Sequence, residues 1–245
     1  MKALKGLMIY VGIVLGMLVG ICVLLFSIMY FVPSFRIMGV GVIHKNENGA
    51  ETLIKLSEFE TFDKIDLSVN SKRIEINCEI ANGIDDIKYD FDLNSFGIAF
   101  DIVEYGILQD AKVEDKTLKL NLSVTEPSGW ISDTSSVLKI TIPAQYDYDL
   151  AFKTTDGNID LNSNSESIKI NKLTVSTGKG HFRTNELGEK IEDKYHLILN
   201  SLNLTTESGN FDLSKINELT INEPIKLFSS NGDFVFNNVN ASLYS

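Results

Sequence analysis

The hydrophobic pattern divides the chain into one long apolar run and a longer region in which apolar and polar residues alternate. The apolar run begins at Leu7, ends at Val32 and includes no charged residue. As an α-helix with a rise of ~1.5 Å per residue it would be ~39 Å long, enough to cross a hydrocarbon core of ~30 Å. The sequence therefore predicts a single transmembrane helix that contacts the lipid bilayer.

The residues that flank this run predict its orientation. Lys2 and Lys5 precede it, whereas Arg36 alone follows at a similar distance. Positive charges collect on the cytoplasmic side of membrane helices, so the amino terminus is expected in the cytoplasm. The apolar part of a cleaved signal peptide has about 7–15 residues, roughly half the length seen here. We therefore predict an uncleaved signal anchor, hence a single-pass cell-membrane protein whose carboxy-terminal domain is extracytoplasmic.

Beyond the membrane segment, apolar residues recur at every second position in many short runs. This period is typical of β-strands that bury one face, and we find no comparable helical spacing after the anchor. The clearest runs are Ile65-Leu67-Val69, Ile74-Ile76-Cys78-Ile80, Leu118-Leu120-Leu122-Val124, Leu138-Ile140-Ile142, Ile159-Leu161, Ile168-Ile170, Leu202-Leu204, Phe211-Leu213, Leu219-Ile221 and Phe234-Phe236. The pattern predicts an all-β extracytoplasmic domain.

The second half of this region repeats a short motif. A polar turn with glycine, then a polar or charged residue and an alternating strand, occurs around Gly157, Gly180, Gly209 and Gly232, at spacings of 23, 29 and 23 residues. The extra length in the middle spacing falls at a charged insertion, residues 186–194. Glycine is expected in these turns because it adopts positive φ without steric cost.

A unit of ~23 residues cannot bury its apolar face alone, so neighbouring units are expected to stack on one continuous core. The predicted fold is therefore a β-solenoid (β-helix-like) repeat domain, and a curled antiparallel β-sandwich is the alternative that the period leaves open. The predicted organisation is a cytoplasmic tip and anchor at residues 1–36, a juxtamembrane linker at 37–50 and the β-repeat domain at 51–245.

Residues 55–245 resemble a bacterial family of unknown function labelled putative adhesin domains. Residues 62–71, followed by Ile74 and Ile76, are similar to the opening strand pair of that family. Residues 138–143 resemble its strand that ends in proline, and the glycine repeats follow as expected. The charged insertion and the poorly patterned residues 84–111 depart from the family pattern. The resemblance implies surface display and a β-helix-like fold, and it supplies no catalytic residues.

The charge balance excludes one class of partner. The chain has 33 Asp and Glu against 22 Lys and Arg, and every acid lies beyond residue 46. An acidic domain of this kind repels the phosphate backbone, and we therefore expect no nucleic-acid partner. Anionic lipid headgroups would be repelled as well.

The residue types needed for catalysis are scarce. Cys22 lies in the apolar run and Cys78 in an alternating strand, so no disulfide is expected and Cys78 is predicted to be a buried strand residue. His44, His181 and His196 occur in no hydrolase or zinc motif. We predict no enzyme activity and no cofactor, and we keep a carbohydrate-active β-helix enzyme as the weakest alternative.

Two features could bind a ligand. The first is a polar, mostly acidic stripe that stacking would form from outward or turn residues. Its expected members are Asp156, Asn158, Asp160, Asn210, Asp212 and Asp233, with Thr154, Thr206 and Asn231. The spacing from Asp156 resembles the start of a calcium-binding loop, but Leu161 stands where that loop requires glycine, so a solvated stripe is expected. The second is Trp130, in a predicted polar loop, as a residue that stacks on a ligand.

These features predict a membrane-anchored cell-surface or envelope binding module, adhesin-like and non-enzymatic, whose ligand is an unknown protein or glycan. The alternative is an accessory or regulatory envelope protein that acts through membrane partners. Gly12, Gly16 and Gly20 recur at a spacing of four and would permit close helix packing in that case.

Overall fold

The computed structural model describes residues 2–32, 35–37, 39–101, 103–132 and 136–241. These residues form one α-helix, one short 3-10 helix and 21 strands. The helices are α1 (Lys2–Phe31) and η1 (Leu56–Glu58). The strands are β1 (Gly41–Asn48), β2 (Thr52–Ile54), β3 (Lys64–Asn70), β4 (Glu75–Ala81), β5 (Ile87–Ala99), β6 (Gly106–Glu114), β7 (Thr117–Thr125), β8 (Gly129–Ser132), β9 (Val137–Pro143), β10 (Asp147–Lys153), β11 (Ile159–Ser163), β12 (Lys169–Thr177), β13 (Phe182–Asn185), β14 (Glu189–Ile191), β15 (Lys194–Leu199), β16 (Ser201–Thr206), β17 (Phe211–Leu213), β18 (Glu218–Ile221), β19 (Lys226–Ser229), β20 (Phe234–Phe236) and β21 (Val239–Ala241).

The chain forms two compact units. Unit 1 consists of residues 1–45, 95–103 and 127–132, and unit 2 contains the remainder. In unit 1, helix α1 includes the segment Met8–Phe31, which is long and apolar enough to cross a membrane. The predicted apolar helix is therefore confirmed, and a mostly β region follows it.

Unit 2 is built on three rows of parallel strands. In the first sheet the parallel order is β9-β4-β11-β13-β17-β20, and in the second it is β7-β3-β10-β12-β16-β19. The third sheet contains β15-β18-β21. Antiparallel partners join their edges, since β5 pairs with β9, β6 with β7 and β14 with β15. The strand orientation is therefore mixed.

The register of the first sheet reproduces the sequence repeat. Ile159 lies beside Phe182, Phe182 beside Phe211, and Phe211 beside Phe234. The offsets between these partners equal the spacings of the glycine motif, 23, 29 and 23. Each copy of the motif therefore places its strand directly next to the preceding copy.

The order of the strands in space differs from their order along the chain. In the first sheet β4 lies between β9 and β11, and in the second sheet β3 lies between β7 and β10. Along the chain, β5 and β6 follow β3 and β4. Strands β7 and β9 then pair with one side of β3 and β4, and the later strands β10 and β11 pair with the other side. Residues 84–111, which showed little pattern in the sequence, contain β5 and part of β6. The predicted linker at residues 37–50 contains strand β1.

The alternating apolar residues form one continuous core. Phe182 and Phe211 are fully buried, and the ring of Phe211 stacks on that of Phe234 with centroids 5.2 Å apart. Phe234 and Phe236 pack against the core but remain half-buried. Cys78 is completely buried, as predicted, and burial raises the pKa of its thiol to about 12.

Glycine is needed at the four repeated turns for a different physical reason from the one expected. None of the four has positive φ. Instead, a Cβ added to Gly209 would lie 1.7 Å from the carbonyl oxygen of Gly180, and one added to Gly180 would lie 1.9 Å from that of Gly157. The turns of neighbouring repeats stack so closely that no side chain fits between their backbones.

Candidate functional site

Five of the predicted stripe residues lie on the outward face of the first sheet, where they belong to two neighbouring rows. Each member of the first row is the first residue of a strand or the residue directly before it. Its members are Glu75, Asn158, His181, Asn210 and Asp233. Because side chains of one register position stack across a parallel sheet, each member neighbours the next.

Side-chain acceptors in this row bind the backbone of the following repeat. Oδ1 of Asn158 accepts from the backbone N–H of His181 at 3.0 Å, and Nδ1 of His181 accepts from that of Asn210 at 3.1 Å. Oδ1 of Asn210 accepts from the N–H of Asp233 at 3.0 Å. The row is therefore an ordered ladder, and three of its side chains hold the repeats in register.

The second row combines both signs of charge. Its adjacent members are Asn77, Asp160, Arg183 and Asp212. The guanidinium of Arg183 donates to both carboxylate oxygens of Asp160, at 2.7 and 2.8 Å, and these bonds raise the pKa of Arg183. A hydrogen bond from Ser214 lowers the pKa of Asp212. A guanidinium thus separates the two carboxylates that would otherwise repel each other.

The stripe is consequently mixed in charge, whereas a mostly acidic one was expected. The sequence did not show that Arg183 lies between Asp160 and Asp212, or that His181 lies between Asn158 and Asn210. Both oxygens of Asp160 are occupied by Arg183. Across the described part of the chain, no group of three or more His, Cys, Asp or Glu side chains is arranged to hold a metal ion.

Two members of the predicted stripe point inward. Thr154 and Thr206 were expected at outward positions, but both are buried. The Thr154 hydroxyl donates to the Gly157 carbonyl at 2.6 Å, and Oγ1 of Thr206 accepts from the Gly209 N–H at 2.7 Å. The expectation was wrong because each threonine continues the inward alternation of its strand, and its hydroxyl then closes the glycine turn from the inner side.

The remaining predicted members are accessible. Asp156 and Asn231 lie in turns and are exposed, as are Asn210 and Asp233, whereas Asn158, Asp160 and Asp212 are half-buried. The surface that they form is a field of amide, imidazole, guanidinium and carboxylate groups. Such a surface can hydrogen-bond to a polar ligand; its binding role stays a prediction.

Glu126 is a buried carboxylate of unit 2 that was not predicted from the sequence. Glu126 accepts hydrogen bonds from the Ser71 hydroxyl at 2.8 Å and from the backbone N–H groups of Lys72 at 2.6 Å and Arg73 at 3.0 Å. The carboxylate therefore holds the turn between β3 and β4. No local signal pointed to it, because its partners are distant in the sequence.

Trp130 occupies a strand, which corrects the predicted polar loop. It lies in β8, directly opposite Ile98 of the antiparallel strand β5. Its side chain is 76% exposed and meets the ring of Phe100 edge-on, with centroids 5.1 Å apart. The local sequence is rich in turn residues, but pairing with β5 imposes the extended conformation.

The β region matches a known protein family. The Toastrack DUF4097 profile matches residues 62–244. The chain belongs to the Toastrack DUF4097 family. The resemblance seen in the sequence is therefore confirmed, and the matched region contains most of the strands of unit 2. No curated protein matches the sequence.

Solved structures similar to this Toastrack chain are known from several bacteria. A putative cell adhesion protein from Clostridium sporogenes is 12% identical, with a TM-score of 0.56, and the match covers 81% of this chain and all of that one. A putative adhesin from Parabacteroides merdae is 14% identical over 81% of this chain and 78% of that one, with a TM-score of 0.33. At these identities the first likeness shows a shared fold.

Proposed function

We propose that this Toastrack protein is a membrane-anchored, non-enzymatic binding module of the cell surface or envelope. Helix α1 crosses the membrane with its amino terminus in the cytoplasm, and the β domain lies on the extracytoplasmic side. The ligand is a polar protein segment or glycan. The name of the similar Clostridium sporogenes structure, a putative cell adhesion protein, agrees with this role.

The β domain is, in this proposal, a β-solenoid with irregular antiparallel edges. Three observations support it: parallel pairing in all three sheets, a register that equals the sequence repeat, and one continuous core. A sandwich of antiparallel hairpins would not bring equivalent positions of successive repeats side by side. Such a scaffold presents the outward residues of successive repeats in ordered rows.

One observation carries the binding function: the ordered row that Asn158, His181 and Asn210 form on the outward face. Hydrogen bonds to the backbone hold their side chains in place, so a ligand need not order them on binding. Beside this row, Arg183 and Asp212 supply a donor and an acceptor at one strand spacing, ~4.8 Å. Regularly spaced donors and acceptors suit an extended ligand with repeated hydroxyl or amide groups.

A binding assay with the full chain in nanodiscs tests this proposal. Arrays of neutral glycans and of purified cell-wall fragments serve as ligands, and Arg183→Glu is compared with Lys172→Glu. The two variants change the charge equally, but Lys172 is exposed on the second sheet. We expect Arg183→Glu alone to abolish binding to at least one class of ligand. Equal loss in both variants, or no binding to any array, would contradict a specific polar face.

The orientation is tested separately by adding a protease to intact cells. An extracytoplasmic β domain should be digested while a tag at the amino terminus stays protected. If a regulatory role through the helix is correct instead, Gly16→Leu should remove the bound membrane partner and Arg183→Glu should not. The helix glycines permit this alternative because a Cβ added at Gly12, Gly16 or Gly20 meets no atom within 4 Å.

A further inference from the structure

The antiparallel ribbon formed by the end of β5 and by β8 carries large apolar side chains on its exposed face. Phe96 and Ile98 alternate along β5, Phe100 directly follows that strand, and Trp130 is the cross-strand neighbour of Ile98. Because alternate strand residues share a face, these four side chains form one surface, which we call the ribbon face. Phe96 is 51% exposed and Trp130 is 76% exposed.

The opposite side of the same strand segment is lined by small residues. Ser95, Gly97 and Ala99 are buried, although each is smaller than its outward neighbours. Water-soluble strands normally have the reverse arrangement, with large apolar residues inside and polar residues outside. A contiguous apolar face of this kind marks a surface that contacts a partner or a membrane.

The ribbon face lies beside the end of helix α1 within unit 1. The ring of Phe96 is 6.4 Å from that of Tyr30 and 6.1 Å from that of His44. A groove of about 530 Å³ is lined by Phe26 of the helix and by Phe96, Ile98 and Trp130 of the ribbon. Phe26 is five residues before the helix end, or ~7–8 Å along its axis. It belongs to the apolar segment Met8–Phe31.

The charges of unit 1 are the reverse of those of the whole chain. It contains Lys2, Lys5, Arg36 and Lys45 but only one acid, Asp101. Arg36 and Lys45 follow the helix in the chain, as the ribbon does. The acidic residues that would repel anionic lipid headgroups are thus concentrated in unit 2, and the part of unit 1 that follows the helix contains Arg36 and Lys45 against one acid.

Hydrogen bonds also hold the ribbon in place. The Ser128 hydroxyl donates to Oδ2 of Asp101 at 2.5 Å, and the backbone N–H of Phe100 donates to the Ser128 carbonyl at 2.8 Å. Arg36 donates to the Asp101 carbonyl. These contacts fix the base of the ribbon face relative to the residues that follow the helix.

We propose that the ribbon face enters the extracytoplasmic leaflet of the bilayer, where the groove beside Phe26 takes lipid acyl chains. This inference rests on the proposed function, in which α1 crosses the membrane. If Phe26 lies in the hydrocarbon region, the side chains that line the groove with it meet acyl chains or the interface. Aromatic rings such as that of Trp130 are favoured there. The protein would then have two membrane contacts, a spanning helix and an inserted ribbon.

The single tryptophan of the chain makes the test direct. The full chain is reconstituted in vesicles of phosphatidylcholine and phosphatidylglycerol, with or without lipids brominated in the upper acyl chain. We expect bromine to quench the emission of Trp130 and the vesicles to shield it from aqueous acrylamide. The double variant Phe96→Ser/Ile98→Ser should reduce the bromine quenching by roughly half or more. Phe228→Ser, at an exposed phenylalanine of unit 2, is the matched control and should leave it unchanged.

The outcomes separate this inference from the function on which it rests. Vesicle flotation reports whether α1 anchors the chain, and failure to float contradicts the proposed function. Flotation without bromine quenching overturns the inserted ribbon and leaves the anchor intact. Flotation with acrylamide shielding but no bromine quenching also overturns it, because a protein surface, such as a second copy of the chain, would then cover Trp130.

Discussion

The central strands of unit 2 and the ribbon of unit 1 use the same alternation of residues in opposite ways. In β13 and β17 the aromatic residues Phe182 and Phe211 point into the core, and the polar residues beside them face outward. At the end of β5, small residues are buried and Phe96 and Phe100 face outward. Both segments have two unlike faces.

The difference shows that a period of two defines two faces but does not say which one is covered. That assignment depends on what each face meets. In unit 2, the neighbouring repeats provide enough apolar surface to bury one face completely. The ribbon has no such arrangement of repeats, and its apolar face is available for another environment. Substitutions in the two regions test this contrast.

Replacing Phe211 by Asp should unfold unit 2. Phe211 is completely buried and lies between the rings of Phe182 and Phe234. Loss of a buried phenylalanine costs about 3–5 kcal/mol, and an unpaired carboxylate in its place adds to that cost. Thermal unfolding of the full chain in detergent, followed by circular dichroism, measures the effect. Phe96→Asp is the control and should leave the main transition nearly unchanged; equal destabilisation by both variants would remove the contrast between the two faces.

Replacing Gly209 by Ala should destabilise unit 2 by about 2–3 kcal/mol, because the new methyl group overlaps the Gly180 carbonyl and forces two repeats apart. Gly83→Ala provides the comparison. A Cβ at Gly83 meets no atom within 4 Å, but φ is +74° there, so only backbone strain of about 1 kcal/mol is expected. Chemical denaturation of both variants measures the difference. A smaller effect at Gly209 than at Gly83 would mean that the turns do not stack as closely as described.

Replacing Thr206 by Val should cost about 1–2 kcal/mol. The shapes of the two side chains are similar, but the buried N–H of Gly209 loses the acceptor that it has at 2.7 Å. In the ribbon, Ser128→Ala also removes a hydroxyl that forms a hydrogen bond, but Ser128 is exposed and water can replace the bond. We expect a smaller change there. Urea unfolding of both variants gives the comparison, and an unchanged midpoint for Thr206→Val would be the contrary result.

Replacing Arg183 by Gln should have the smallest effect on stability, about 0.5 kcal/mol or less, because the Arg183 side chain is 58% exposed and its pair with Asp160 is screened by water and salt. The effect should diminish further at high salt. Arg183→Lys keeps the charge but loses the two-point contact, and it should fall between the wild type and Arg183→Gln. A loss of several kcal/mol would show that the stripe is a structural element of the fold.

Much of the fold could be predicted because its signals are local. The helix follows from a long run without charge, and strands such as β3, β4 and β7 follow from strict alternation. The repeat spacing also predicted the register, since similar turns stack at equivalent positions. By contrast, β5 was not predicted. In residues 95–99 of this strand the small residues are buried and the large apolar residues face outward, which is the reverse of the usual arrangement.

The candidate site was predictable only in outline. Its acids and amides were identified from the repeats, but their electrostatic balance depends on Arg183, which stands between Asp160 and Asp212 only after β13 pairs with β11 and β17. That pairing joins segments that are distant in the chain. Thr206 is a different case, because it continues the alternation of Leu202 and Leu204 and its inward position could have been read from the sequence. Its polarity suggested the outer face instead.

Two features can be read from the sequence alone: an apolar helix precedes an acidic, mostly β domain, and the repeats of this domain stack at the spacing of their glycines. Hydrophobic periodicity and turn composition depend on neighbouring residues, so these features can be seen without a structure. The three-dimensional structure was needed to show that β3 and β4 lie inside the stack and not at its end, and that the repeated glycines are needed for space rather than for positive φ. It was also needed to show that the ribbon face is exposed. These features arise where distant segments meet, and alternation along one strand carries no information about which segment will cover it.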